Sequence, residues 1–143
     1  MSKISVVYWS QTGNTQAMAE AVGAGITKAG KEADVVEVSG ASMEDLKAAK
    51  VFALGCPAMG AEVLEEMEME PFVEEVEGFA QGKTIALFGS YGWGDGQWMR
   101  DWQERGEGAN ADLYQGQGLM VNETPDDGAL EQCRAFGAGF AAY

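Results

Sequence analysis

Short apolar runs alternate with segments of helical periodicity along the chain, and this alternation constrains the fold more than any other feature. Residues 3–9 form the first apolar run, and Met18, Val22, Ile26 and Ala29 then recur at helical spacing. Later strands are predicted over 34–38, 50–55, 83–89 and 119–122, and helices over 42–49, from Pro71, over 97–105 and after Thr124. The pattern predicts an α/β fold whose parallel strands are joined by right-handed crossovers.

Local signals add detail to this outline. Polar residues in the second strand predict that it lies at an edge of the sheet. Pro71 is predicted to open one helix, and Thr124 to cap the last one with Pro125 in its first turn. The last helix is expected to bury Leu130, Cys133, Phe136 and Phe140. Five parallel strands with helices on both faces are therefore expected, in one domain over residues 1–143.

Composition removes several function classes. The 143 residues include 23 acidic and 9 basic side chains, and the net charge of −14 disfavours nucleic acid and anionic membranes. The chain has no histidine, which excludes Ser-His-Asp and Cys-His catalysis and makes a metal site improbable. Two distant cysteines without CxxC spacing indicate reduced thiols, and no signal sequence or membrane span is apparent. A cytoplasmic monomer with basic-faced partners is expected.

Ligands of such sheets bind beyond the carboxyl ends of the strands, so the loops after strands one, three and four matter most. The first loop consists of Ser10, Gln11, Thr12, Gly13, Asn14 and Thr15. It places hydroxyls and an amide at a helix N-terminus, where backbone N–H groups suit an anion. No basic residue lies between Lys3 and Lys28, which favours a phosphate that is bound and not transferred. A hydroxyl-rich helix cap without a ligand is the alternative.

The other two loops offer the walls of a flat pocket. The second reads Gly55, Cys56, Pro57, Ala58, Met59, Gly60, Ala61, Glu62, and the third Ser90, Tyr91, Gly92, Trp93, Gly94, Asp95, Gly96. Polarizable Met59 and the indole of Trp93 suit opposite walls, although either is more often a packing residue when it stands alone. Trp9, Trp98 and Trp102 lie in predicted regular structure and are expected to be packing residues.

These three loops, in this order, resemble those of flavodoxins, particularly the short-chain type found in anaerobic bacteria. The resemblance extends over nearly the full length and rests on 8–15, 55–60 and 88–96. It implies a flavodoxin-like three-layer sandwich with strand order 2-1-3-4-5 and non-covalently bound FMN. Gln11 and Ala61 depart from common family choices, without removing a phosphate or ring contact.

The resemblance also implies residue roles. Ser10, Thr12, Asn14 and Thr15 would bind the phosphate, and Met59 and Trp93 would sandwich the isoalloxazine ring. Gly60 would present a carbonyl to flavin N5, and backbone N–H groups at 92–94 would approach the pyrimidine edge. Glu62 would accept from N3–H, with an ordinary surface carboxylate as the alternative.

The implied function is that of a low-potential one-electron carrier, which cycles mainly between semiquinone and hydroquinone and is not an enzyme. Acids at positions 62, 65, 66, 68 and 70 are expected to steer basic redox partners, or to be solvated surface charge. The main alternative is an FMN-dependent NAD(P)H:quinone reductase of the same superfamily. A phosphoacceptor module is disfavoured because Trp9-Ser10 and Gly55 stand where acids are needed. A nucleotide hydrolase is disfavoured because no GxxxxGK[ST] sequence is present.

Overall fold

The computed structural model describes residues 3–11, 13–59, 63–92 and 94–143. Its strands are β1 (Lys3–Tyr8), β2 (Glu32–Glu37), β3 (Val51–Gly55), β4 (Thr84–Tyr91), β5 (Asp112–Leu113) and β6 (Leu119–Asn122). Its α-helices are α1 (Asn14–Lys28), α2 (Met43–Ala48), α3 (Met69–Glu77), α4 (Gln97–Gly108) and α5 (Asp127–Phe140). Strands and α-helices alternate from β1 to β5 as the sequence pattern predicts, and β6 follows β5 with no α-helix between them.

The strands form one parallel sheet in the order β2-β1-β3-β4-β5, and β6 also pairs with β4. The predicted order and the edge position of β2 are confirmed. The fifth position is divided, however, because β5 pairs with the start of β4 and β6 with its end. The backbone between them turns at Gln115 and Gly116, whose φ angles are 63° and 72°. The sequence prediction included only the second of these two segments.

Side chains of β1 alternate between two cores, which explains why its sequence is apolar on both faces. Ile4 and Val6 pack beneath α1 and α5, whereas Val7 packs with residues of α3 and α4 on the opposite face. Trp98 and Trp102 are buried in this second core, as predicted. The three layers therefore hold a central sheet whose carboxyl edge is left to the loops.

Helices α1 and α5 approach each other closely at two glycines. A Cβ atom on Gly25 would collide with the carbonyl oxygen of Arg134, and one on Gly137 with that of Val22. Both obstacles are backbone atoms, which cannot rotate away as a side chain can. Small residues at these positions therefore set the distance between the two helices.

Helix ends differ from the prediction in two places. Helix α5 is capped by Asp126, whose carboxylate accepts from the N–H of Ala129 at 2.8 Å, so the prediction of Thr124 was wrong. Pro71 is the third residue of α3 and does not open that helix. The α3 N-terminus is served instead by the carboxylate of Glu65, upstream of the helix.

Within residues 3–11, 13–59, 63–92 and 94–143, every helix is too short or too polar to cross a membrane.

Candidate functional site at the carboxyl edge of the sheet

The loops after β1, β3 and β4 are joined by backbone hydrogen bonds that continue the sheet beyond its strands. Trp9 N–H donates to the carbonyl of Gly55 at 3.0 Å. Ala58 N–H donates to the carbonyl of Ser90, also at 3.0 Å. The structure thus brings together the three loops that the sequence singled out.

Five of the predicted site residues lie outside the described residues: Thr12, Gly60, Ala61, Glu62 and Trp93. Their assigned roles stay predictions.

The first loop is shaped by Ser10 and Gly13. The Ser10 hydroxyl oxygen accepts from the N–H of Gly13 at 3.1 Å and from that of Gln16 at 3.3 Å. Gly13 has a φ of 97°, a conformation that suits glycine and few other residues. Because Ser10 accepts two bonds, its own O–H stays available as a donor to an anion.

Thr15 takes a different position from Ser10. Its hydroxyl lies 2.9 Å from that of Ser90, and both side chains are buried. This contact connects the first turn of α1 to the end of β4, 75 residues along the chain. Gln11 is exposed and Asn14 is half-buried at the mouth of the same loop.

The charge around this helix N-terminus is suited to an anion. The first turn of α1 has no acidic residue, although the chain as a whole carries a net charge of −14. The exposed backbone N–H groups of a helix N-terminus carry a partial positive charge. A phosphate would therefore meet neutral donors and a favourable dipole here.

The second loop contains a closed pair of backbone hydrogen bonds. Met59 N–H donates to the carbonyl of Val63 at 2.8 Å, and Val63 N–H donates back to Met59 at 3.0 Å. We call this reciprocal pairing the Met59–Val63 bridge. Pro57 and Ala58, which precede it, are half-buried.

Cys56, the second residue of this loop, is fully buried. Burial is the main reason that the pKa of its thiol rises to about 12, and the nearby Glu65 and Glu70 carboxylates add to that rise, whereas a backbone hydrogen bond from Glu65 opposes it. The thiol is therefore protonated at neutral pH, in keeping with its place in the core.

The third loop begins in the core and ends at the surface. The Tyr91 ring packs on Trp98 with centroids 5.5 Å apart, and the Trp98 indole N–H donates to the carbonyl of Cys56 at 3.1 Å. Gly92 is exposed, and Gly94 has a φ of 87°. Tyr91 thus supports the loop by packing on Trp98.

The acids at positions 65–70 do not form one uniform surface. Glu65 is only 7% exposed, and its carboxylate accepts from the N–H groups of Met67, Glu68 and Met69 at 2.7, 2.7 and 3.0 Å. Burial alone would raise the pKa of Glu65, but the three backbone donors outweigh it and lower the pKa below its ordinary value. Glu65 is thus bound to the backbone and nearly sealed from solvent, and its expected steering role stays a prediction.

Glu70 is also engaged. Its carboxylate forms a two-pronged ion pair with the Arg105 guanidinium at 2.8 and 2.9 Å, and Glu77 binds the same guanidinium. Burial lowers the pKa of Arg105, yet the hydrogen bonds and charges of Glu70 and Glu77 raise it overall. Only Glu66 and Glu68 of this group have exposed side chains among the described residues.

A doubly wound parallel sheet with three connected loops at its carboxyl edge defines the class of open α/β proteins that bind ligands at this edge. Comparison with known proteins specifies that class. A flavodoxin family model matches residues 6–137. The chain is 46% identical to the flavodoxin of Clostridium beijerinckii over 138 residues, which cover 96% of this chain and 99% of that protein.

Two further comparisons agree. The chain is 41% identical to the flavodoxin of Megasphaera elsdenii, over 96% of this chain and 98% of that protein. The solution structure of the two-electron reduced Megasphaera elsdenii flavodoxin superposes with a TM-score of 0.89 at 40% identity, covering 98% and 99% of the two chains. The chain belongs to the flavodoxin family, and it is of the short-chain type. Flavodoxins bind FMN and transfer electrons to redox partners, and they are not enzymes.

Proposed function

We propose that this chain is a low-potential one-electron carrier that holds FMN without a covalent bond and shuttles electrons between larger redox enzymes. The phosphate would be held by the first loop: Ser10, Gln11, Thr12, Gly13, Asn14 and Thr15. The ring would be held by the other two loops: Pro57, Ala58, Met59, Gly60, Ala61, Glu62, Ser90, Tyr91, Gly92, Trp93 and Gly94. Residues 1–143 would act as one domain and as a monomer.

The observation that carries this proposal is the acid-free N-terminus of α1 in a strongly acidic chain. The Ser10 hydroxyl oxygen accepts from the N–H groups of Gly13 and Gln16, which leaves the Ser10 O–H available to donate. A phosphate monoester fits such a site because the helix dipole and neutral donors stabilise its charge. A site that transferred the phosphate would need cations that the first loop and α1 lack before Lys28.

FMN supplies the redox chemistry when bound, and the protein adjusts it by binding the three oxidation states with different affinities. Full reduction places a negative charge on the flavin ring, inside a protein with a net charge of −14. Because that charge is disfavoured in such surroundings, the second reduction step should have a low potential. We propose that the carrier cycles mainly between semiquinone and hydroquinone, with Gly60 as the acceptor for N5–H.

The surface beside the Met59–Val63 bridge fits a partner with a basic face. Met67 is 83% exposed and Val63 is 43% exposed, and the exposed acids Glu66 and Glu68 flank Met67. Apolar groups with charged neighbours are typical of transient docking surfaces. A partner that presents a small apolar centre within a rim of lysine and arginine would match this surface.

A direct test separates the carrier from the quinone reductase alternative. The purified FMN-loaded protein is mixed with NADH or NADPH, first alone and then with a flavodoxin reductase, while flavin absorbance is followed. Reduction that requires the reductase, and that slows as ionic strength rises, is the expected result. Rapid turnover of the nicotinamide by the protein alone would identify the alternative instead.

A further inference from the structure

The side chain of Glu65 is buried, whereas those of the nearby Glu66 and Glu68 are exposed. Its carboxylate is nearly sealed from solvent and accepts three backbone hydrogen bonds, from Met67, Glu68 and Met69. Its own carbonyl accepts a fourth bond, from the N–H of Glu70 at 2.8 Å. Residues 65–70 therefore form a turn. In this turn the side-chain carboxylate and the backbone carbonyl of Glu65 both accept hydrogen bonds from backbone N–H groups of the residues that follow.

This turn is continuous with the second loop. Val63, which closes the Met59–Val63 bridge, lies two residues before Glu65, and only buried Leu64 separates them. On the inner side, the backbone of Glu65 contacts the buried Cys56 thiol, which in turn donates to the carbonyl of Pro57 at 3.4 Å. Displacement of Glu65 would therefore be transmitted to both strands of the bridge.

The neighbouring acid Glu66 provides a contrast. It is the same residue type one position further along, but its side chain is exposed. E65Q and E66Q remove the same formal charge from the same segment, whereas Glu65→Asp keeps that charge. Only Glu65 holds the backbone in place.

We infer that Glu65 is a positioning residue for FMN, acting through the turn at 65–70 and the Met59–Val63 bridge on Met59 of the second loop. Its buried carboxylate fixes the turn, the turn fixes Val63, and Val63 fixes Met59. This inference rests on the proposed function, because it assigns the second loop to the flavin ring.

The first experiment measures the turn without the cofactor. Cys56 reports on it, because its sulfur is fully buried and a thiol reagent can reach it only when the structure around it opens. In a Cys133→Ser background, which leaves one cysteine, the rate of Cys56 labelling is measured in the apoprotein. We expect E65Q to label roughly tenfold or more faster than the parent, because charge-assisted bonds to three N–H groups are weakened. E66Q, which removes the same charge, should label at the parent rate.

The second experiment measures the cofactor. The same variants are loaded with FMN and titrated with reductant, and the maximal fraction of semiquinone is read from the visible spectrum. We expect E65Q to change this fraction well beyond the change in E66Q. Glu65→Asp keeps the charge but shortens the side chain by one methylene, so it should shift both readouts in the direction of E65Q. If E65Q fails to fold, the comparison of Glu65→Asp with the parent still tests the inference.

The outcomes are distinct. Equal labelling and equal semiquinone fractions in E65Q and E66Q would overturn the inference in favour of charge alone. Fast labelling of E65Q with a semiquinone fraction equal to that of E66Q would reduce Glu65 to a structural cap and also overturn it. If the parent protein did not bind FMN, the proposed function would fail, and this result is visible before any variant is compared.

Discussion

The buried hydroxyl pair of Thr15 and Ser90 makes a quantitative prediction about how the phosphate loop is attached to the sheet. The two oxygens lie 2.9 Å apart, and the side chains are 1% and 4% exposed. Replacing Thr15 with Val keeps the shape but leaves the Ser90 hydroxyl buried without its partner. Such an orphaned group costs about 1–3 kcal/mol, whereas removal of both hydroxyls can be nearly neutral.

The assay is urea unfolding of the apoproteins in a double-mutant cycle. Thr15→Val and Ser90→Ala should each lower the free energy of unfolding by about 1–2 kcal/mol. The double variant should lose less than the sum of the two, with a coupling energy of about 1 kcal/mol. Additive losses would refute the idea that this pair fastens the loop to β4.

Thr15→Val also tests the predicted phosphate contact of Thr15. If Thr15 also donates to the phosphate, Thr15→Val should weaken FMN binding roughly tenfold for one lost hydrogen bond, whereas Thr15→Ser, which keeps the hydroxyl, should not. Equal affinities for Thr15→Val and Thr15→Ser would restrict Thr15 to its structural bond. Fluorescence quenching of FMN on binding measures both affinities.

Two further predictions concern stability. Gly137→Ala should destabilise the protein by about 1–3 kcal/mol, because the new methyl group meets a backbone carbonyl of α1. Gly128→Ala, in the exposed first turn of the same helix, should be neutral or stabilising by up to about 1 kcal/mol, and equal effects in thermal unfolding would contradict the packing argument. The folded-state pKa of Glu65 lies below its ordinary value of 4.5, so its contribution is present above that pH and is lost as the pH falls through the lowered pKa. The stability difference between the parent and E65Q should therefore be constant near neutral pH and shrink in acid, and a difference that grows in acid would contradict this sign.

Much of the fold could be predicted because its signals are local and repeated. The apolar run of β1 correctly predicted a buried strand, and the polar residues of β2 predicted an edge strand. The position of Trp98 and Trp102 in predicted regular structure likewise predicted their burial. The short β5 segment was missed because two residues, Asp112 and Leu113, carry no periodicity. That segment is defined only by its pairing with β4.

The errors at helix ends have a different cause. Thr124 and Asp126 are both good capping residues on either side of Pro125, so the sequence alone could not rank them. The loops of the candidate site were found because glycines, hydroxyls and aromatic residues cluster after three strand ends.

Glu65 could not be distinguished from its neighbours by sequence. Several glutamates stand close together between positions 62 and 70, and residue type does not reveal which one turns inward. Glu70 is separated by 35 residues from Arg105, so this ion pair also required the tertiary structure. In the sequence these acids look like one acidic surface. In the structure Glu65 is buried and binds the backbone, Glu70 pairs with Arg105, and Glu66 and Glu68 are exposed.

The central claim is that this flavodoxin carries one electron at a time, and an anaerobic reductive titration of the FMN-loaded protein tests it most directly. The visible spectrum is followed from the oxidised to the fully reduced state. A blue neutral semiquinone that accumulates before full reduction, followed by a second step at clearly lower potential, is the predicted result. Tight FMN binding with direct two-electron reduction and no semiquinone would contradict the account.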